Sequence, residues 1–191
     1  MKVIIDTSSL ISLVKYYLSF DSSNKLYDLV KKQIENYDII IIDEVLRECE
    51  ITAKKIVIKK LLYLGDKFFL KKLKLPIKTA DLIPPAPKKF YNLVDNNFIT
   101  PYARRLDSAE FEQRKKEYLN SADARMIIFT LNQLHNYPNE RFIIVTEESE
   151  TGNDQKEFKK IPAICKIINI EVMTLPDLLK LYKDQINMTF S

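Results

Sequence analysis

The residues best placed to do chemistry in this chain are acids, and they recur where apolar runs end. Asp6 closes the run VIID, and the hydroxyl residues Thr7 and Ser8 follow it at once. Glu147 and Glu148 follow FIIVT, with Thr146 just before them. Glu44 and Glu48 stand four residues apart in IIDEVLRECE, a spacing that places both on one face of a helix. Asp123 lies at the start of the apolar stretch SADARMIIF. Each position alone has a plain structural account, because an acid in the first turn of a helix caps free N–H groups and offsets the dipole. Asp6 or a hydroxyl beside it can start a helix in this way, and Asp43 can cap one that begins at Glu44. The set is harder to explain. Gathered carboxylates repel one another, and a divalent cation offsets that repulsion. Oxygen ligands without a His/Cys set favour Mg²⁺ or Mn²⁺ over zinc.

The rest of the composition removes competing chemistries. His135 is the only histidine and falls late in a helical pattern or just past it. Ser-His-Asp and Cys-His nucleophilic schemes would both depend on it. Cys49 and Cys165 read as small apolar core residues, too few for a disulfide scaffold and suited to a reducing, cytoplasmic compartment. Two glycines in 191 residues leave no Gly-rich phosphate loop. Asp6, Ser8 and Ser9 break the opening apolar run, unlike a signal peptide, and no run approaches the roughly 18 residues of a membrane span. No membrane partner is expected. A hydrophobic content of 46% with 29% charged residues fits one globular domain spanning 1–191. The net charge of +4 is uneven. Between 54 and 78, nine lysines stand against Asp66 alone, which is +8 and leaves −4 for the remainder. Such a block is either the solvated face of an amphipathic helix or a lobe that faces a polyanion.

The elements that must position the acids follow from periodicity. Lys2–Asp6, Asp38–Asp43, Arg141–Thr146 and Ile170–Met173 are short, nearly continuous β-branched runs, the pattern of strands buried on both faces. Helical patterns separate them. They cover Leu10–Leu18, Asn24–Tyr37 with Leu26, Leu29, Val30 and Ile34 on one face, Ser121 to about Leu134, Ile161–Ile168 and Pro176–Ile186. The alternation predicts an α/β fold, a three-layer α/β/α sandwich with a mostly parallel sheet. Ligand sites of such sheets collect at the carboxyl ends of the strands, where these acids fall. Residues from about 54 to 117 break the alternation. A basic helical pair interrupted near Gly65 leads into LPIKTADLIPPAPKKF, and Pro76, Pro84, Pro85, Pro87 and Pro101 stop helices there. This predicts a helical and loop insertion over one edge of the sheet.

In order and spacing, VIIDTSSLISL, IIDEVLREC, SADARMIIF and FIIVTEESE resemble the motifs of the PIN-domain nucleases, the family that includes VapC-type toxins of bacterial toxin–antitoxin pairs. IVTEE followed by KKIPAICKIINIEVMTLPDLL looks like a larger bacterial PIN-like subgroup. The resemblance covers about 1–53 and 118–183 and leaves the insertion unexplained. It implies a metal-dependent endoribonuclease in which Asp6, Glu48, Asp123 and Glu148 are the catalytic acids and the ligands of Mg²⁺ or Mn²⁺. Glu48 is preferred to Glu44. The family usually has Asp where Glu148 stands, so Glu147 and Asp154 stay open as the fourth ligand. Thr7, Ser8 and Thr146 would shape the site. A metal-bound water would attack the phosphodiester without a side-chain nucleophile. Lys54, Lys55, Lys59, Lys60, Lys71 and Lys72 would hold the RNA backbone. Tyr91, Phe98 and Tyr102 would stack on unpaired bases or pack the insertion on the body. RNA, an antitoxin protein and a second copy of the chain in a homodimer are the partners implied. Two readings compete: a PIN-like module that binds nucleic acid or protein without cutting, and a metal phosphatase acting on small phosphate esters.

Overall fold

The structure is a computed structural model and describes residues 1–150 and 156–186. Four parallel strands, β1 (Lys2–Ile5), β2 (Ile39–Ile40), β3 (Phe142–Val145) and β4 (Glu171–Met173), form one sheet in the order β2-β1-β3-β4. Ile4 of β1 pairs with Ile40 on one side and Ile144 on the other. All of β3 and all but the first residue of β1 are buried, which is why these runs are continuously apolar.

The helices are α1 (Thr7–Ser12), α2 (Lys25–Glu35), α3 (Asp43–Ile51), α4 (Ile56–Lys60), α5 (Lys67–Lys72), α6 (Pro87–Asn96), α7 (Ser108–Leu119), α8 (Ala122–Asn136), α9 (Ile161–Ile168), α10 (Leu175–Lys180) and α11 (Lys183–Ile186). α2 packs with α10 and α11, while α3, α8 and α9 pack in series. With the sheet between helical layers, the fold is a three-layer α/β/α sandwich whose sheet is parallel throughout. Among the described residues, no helix is long and apolar enough to cross a membrane.

β2 is shorter than the apolar run that encodes it. Its ladder with β1 ends at Ile40, because Ile41 and Ile42 turn to a different partner. Ile77 of the insertion donates its N–H to the Ile41 carbonyl at 3.0 Å, and its own carbonyl accepts from Asp43 N–H at 2.9 Å. The insertion thus covers backbone that would otherwise be an open edge. Asp43 is not the cap of the next helix. Ile42 holds that position, and the Asp43 carboxylate accepts from the Glu44 N–H at 3.2 Å as well as from the Thr79 N–H at 3.2 Å and the Thr79 hydroxyl at 2.6 Å. The Thr79 carbonyl accepts in turn from Arg125 of α8 at 3.2 Å. Val57, Leu61, Phe90, Val94 and Phe98 from the insertion share one buried cluster with Val3, Ile4 and Ile144 of the sheet. Phe98 is wholly buried, so it packs the core and is not open to a base, whereas Tyr91 and Tyr102 are exposed. The last helical stretch is not continuous either, since Leu181 and Tyr182 separate α10 from α11.

Candidate active site

The chain leaves β1 toward β2 on one side and later returns to β3 on the other. At such a switch point the loops leaving the carboxyl ends of the strands diverge and open a crevice. Asp6 follows β1 and Thr146 follows β3, so both stand at its mouth. Asp6 does occupy the cap position of α1, and its carbonyl accepts the Leu10 N–H at 3.1 Å. Its carboxylate, however, makes no capping bond. The buried Asp6 Oδ2 accepts from the Ser8 hydroxyl at 2.5 Å and from the Thr146 hydroxyl at 2.9 Å. Each hydroxyl also accepts a backbone N–H, Ser8 from Glu147 at 3.1 Å and Thr146 from Glu148 at 3.2 Å. A hydroxyl that accepts from N–H has its own hydrogen left for the carboxylate. Two relays therefore run from the TEE backbone through hydroxyls to Asp6.

The other acids arrive from three further segments. Glu48 on α3 accepts the Thr7 hydroxyl at 2.7 Å, whereas Glu44, one turn earlier, is held by Arg47 at 2.6 Å. Burial raises the Glu48 carboxyl above its ordinary range, the Thr7 hydrogen bond opposes the rise and the Asp6 charge adds to it. Asp123 lies in the first turn of α8, whose cap is Ser121. Its carboxyl is pushed from 3.8 up to about 7, first by burial and then by the charges of Asp6, Glu148 and Glu48. Three acids from other segments thus act on Asp123 across the crevice. Glu148 also accepts the Ile161 N–H at 3.0 Å and so caps α9. Glu147 accepts the Leu175 N–H at 2.7 Å, caps α10, and is not among the charges acting on Asp123. Asp154 lies outside the described residues.

Thr7, Ser8 and Thr146 thus bind the acids they were expected to shape. The six lysines expected to hold RNA do not border this crevice. Lys54, Lys55, Lys59, Lys60, Lys71 and Lys72 are exposed on and around α4 and α5, and a different basic set lines the cleft beside Asp123 and Glu148. That cleft, of about 180 Å³, is walled by Arg114, Tyr118, Lys156, Phe158, Lys159 and Lys160 together with the two acids and neighbouring glutamates. In the sequence the signal for this wall is KEFKK, a basic run interleaved with an aromatic and placed shortly after the TEE acids.

A family model described as Domain of unknown function (DUF4411) matches residues 88–186, just over half of the chain. The chain belongs to the DUF4411 family. No curated protein and no solved structure matches it. The DUF4411 span begins at α6 and carries Asp123, Thr146, Glu148 and the whole basic wall, while Asp6 and Glu48 precede it. In this DUF4411 protein, no group of three or more His, Cys, Asp or Glu among the described residues is already arranged to hold an ion. The donor chemistry nevertheless suits a hard divalent cation. It is oxygen alone, and the repulsion that adds to burial in lifting Asp123 is what a bound cation would offset.

Proposed function

We propose that this DUF4411 protein is a metal-dependent endoribonuclease of PIN-like type, with Asp6, Glu48, Asp123 and Glu148 as its catalytic acids. The observation that carries this reading is the placing of four carboxylates from four segments around the switch point, where burial and then the charges of Asp6, Glu148 and Glu48 raise the Asp123 carboxyl to about 7. Mg²⁺ or Mn²⁺ held by these acids supplies a water of lowered pKa and a counter-charge for the attacked phosphate. The chain's own residues have distinct tasks. Ser8 and Thr146 fix Asp6 through one oxygen, Thr7 orients Glu48, and Glu148 is anchored by the first N–H of α9. No side-chain nucleophile competes. Cys49 and Cys165 are buried with thiols pushed up to about 12, and His135 borders a separate apolar cavity. An RNA-cutting site of this kind suits the toxin of a toxin–antitoxin pair, with an antitoxin protein as inhibitor and a homodimer as the working form.

The decisive experiment is cleavage of single-stranded RNA by the purified full chain with Mn²⁺ or Mg²⁺, beside Asp6→Asn and Asp123→Asn. Metal-dependent cutting by the wild type alone is expected, and equal activity in all three proteins would overturn the site. One observation favours a second reading. Glu147 and Glu148 are both engaged at helix starts, an arrangement that suits a PIN-like module that binds nucleic acid or a protein without cutting. Calorimetry showing no divalent binding, with RNA binding retained and no cleavage, would decide for that module.

A further inference from the structure

Much of the basic wall beside Asp123 is already engaged. Phe158 stacks on Tyr118 with ring centroids 4.1 Å apart, and the Thr100 hydroxyl donates to the Lys156 carbonyl at 2.6 Å. Arg114 pairs with Glu117 and Glu157, and Lys159 donates to the Asn97 carbonyl at 2.7 Å. A larger cationic surface lies beyond Glu48. The Glu48 carbonyl accepts the Thr52 N–H at 2.8 Å and the Thr52 hydroxyl at 2.6 Å. Two residues later Lys54 begins the lysine block, and α4 packs against both α1 and α3. The block therefore sits just outside the crevice, on its Thr7–Glu48 side.

All nine lysines of 54–78 are exposed, and none makes a side-chain hydrogen bond or ion pair among the described residues. The one acid of the segment is turned to the backbone, since Asp66 Oδ1 accepts the Phe68 N–H at 2.8 Å and the Phe69 N–H at 3.3 Å. Like charges left without counter-charges repel, and an arriving polyanion relieves that repulsion. An aromatic ring stands among them. Phe69 turns inward, its ring 5.4 Å from that of Tyr63, and Leu70 packs on the core beside it. Phe68 is left 87% exposed. It shares one face of α5 with Lys71 and Lys72, three and four residues on. An exposed apolar side chain by itself needs no explanation, whereas a free ring among unpaired cations is the make-up of a single-strand platform. A bilayer fits less well. α4 and α5 are five and six residues long and turn Val57 and Phe69 into the protein, so no apolar helix face is left for lipid.

We propose that Phe68, with Lys59, Lys60, Lys67, Lys71 and Lys72, forms a platform that holds single-stranded RNA beside the acid crevice. A base stacks on the Phe68 ring, and the ammonium groups meet the backbone phosphates on either side. That the held strand flanks a cut rests on the nuclease reading; the platform itself does not. Unpaired bases are required, because the stacked bases of a duplex cannot reach the ring.

The test is equilibrium binding of a fluorescein-labelled oligouridylate to the full chain in EDTA, over a range of salt. Phe68→Leu keeps an apolar side chain without the ring and is expected to weaken binding by about fivefold to a hundredfold, the loss of one stacked base, with Tm unchanged. Phe68→Tyr restores the affinity. Replacing Lys59, Lys60, Lys71 and Lys72 together by Gln is expected to flatten the slope of log K against log salt by about 0.7 for each that meets a phosphate, up to about 2.8. Wild-type affinity in Phe68→Leu, or an unchanged slope in the lysine variant, would overturn the platform, as would failure of the wild type to bind the RNA. Polyglutamate or phosphatidylglycerol vesicles that bind more tightly than the RNA would overturn it in favour of an acidic protein or a lipid surface. Cleavage by Asp6→Asn with Mn²⁺, run alongside, separates the two claims. Cutting that survives Asp6→Asn while Phe68→Leu binds weakly refutes the nuclease site and keeps the platform. Cutting that needs Asp6 while Phe68→Leu binds normally refutes the platform alone.

Discussion

Asp123→Asn should stabilise the metal-free protein at high pH while abolishing its chemistry. The Asp123 carboxyl is lifted from 3.8 to about 7 by burial and three neighbouring acids. The folded state therefore holds this proton more tightly than the unfolded chain does. Its contribution to stability is complete below pH 3.8 and is lost as pH rises through about 7, where the cleft must carry a charged carboxylate. At ~1.4 kcal/mol per pH unit, wild type loses up to ~2.7 kcal/mol from pH 5 to well above pH 7, where ionisation is complete. Water reaching the open cleft reduces this to about 1.5–2 kcal/mol. Asn cannot ionise, so the variant escapes the loss. For a chain of this size, about 2–4 °C of Tm accompanies each kcal/mol. Thermal denaturation in EDTA should then show the Tm of Asp123→Asn, relative to wild type, rising by about 3–8 °C from pH 5 to pH 8. Added Mn²⁺ should reverse the order at pH 8 by stabilising only the wild type, and chelation should return it. A Tm gap that is the same at both pH values would refute the claim that the acids strain one another.

Thr146→Val keeps the shape but removes the hydroxyl between Asp6 Oδ2 and the Glu148 N–H, so urea denaturation should show a loss of about 1–3 kcal/mol; no loss would mean the relay is not formed. Ala53, Lys54 and Lys55 leave α3 in consecutive left-handed conformations with φ of 46°, 56° and 60°. Lys55→Gly should therefore raise stability by up to ~1 kcal/mol, the steric relief exceeding the entropy of the added glycine, and an unchanged or lower Tm would count against that turn. Replacing Lys54, Lys55, Lys59, Lys60, Lys71 and Lys72 by Gln together should flatten the salt dependence of RNA binding by about 0.7 for every one that contacts a phosphate; an unchanged slope removes them from the RNA path.

The sheet was readable because strands buried on both faces need unbroken β-branched runs, and VII, FIIV and their neighbours have no other use. What periodicity could not show is where the IIII run changes partners, since Ile41 and Ile42 are as apolar as Ile39 and Ile40 and only Ile77, far along the chain, decides it. Asp43 misled for a related reason. An acid at a strand–helix junction reads as a cap, but Ile42 holds the cap position and Asp43 divides its oxygens between the Glu44 N–H and Thr79. The positions of Asp6, Glu48, Asp123 and Glu148 were legible as junctions, and the preference for Glu48 over Glu44 has a physical counterpart in the Arg47 pair that occupies Glu44. The basic wall was not legible. The lysine density at 54–78 drew attention to exposed helices, while Tyr118 and Lys156 come together only through the stacking of Phe158 and the anchoring by Thr100.

The hydrogen bond between Thr146 and Asp6 spans 140 positions of the chain. At ~5–20 residues per second, a ribosome takes on the order of ten to thirty seconds to travel from one to the other. During that interval β1 has β2 as its only possible strand neighbour, because β3 has not yet been made. Asp6 and Glu48 emerge early, with neither the hydroxyl of Thr146 nor the carboxylates of Asp123 and Glu148 to complete them. The acid cluster is therefore a late product of synthesis whatever the order of folding, and a chain halted before codon 146 cannot assemble it.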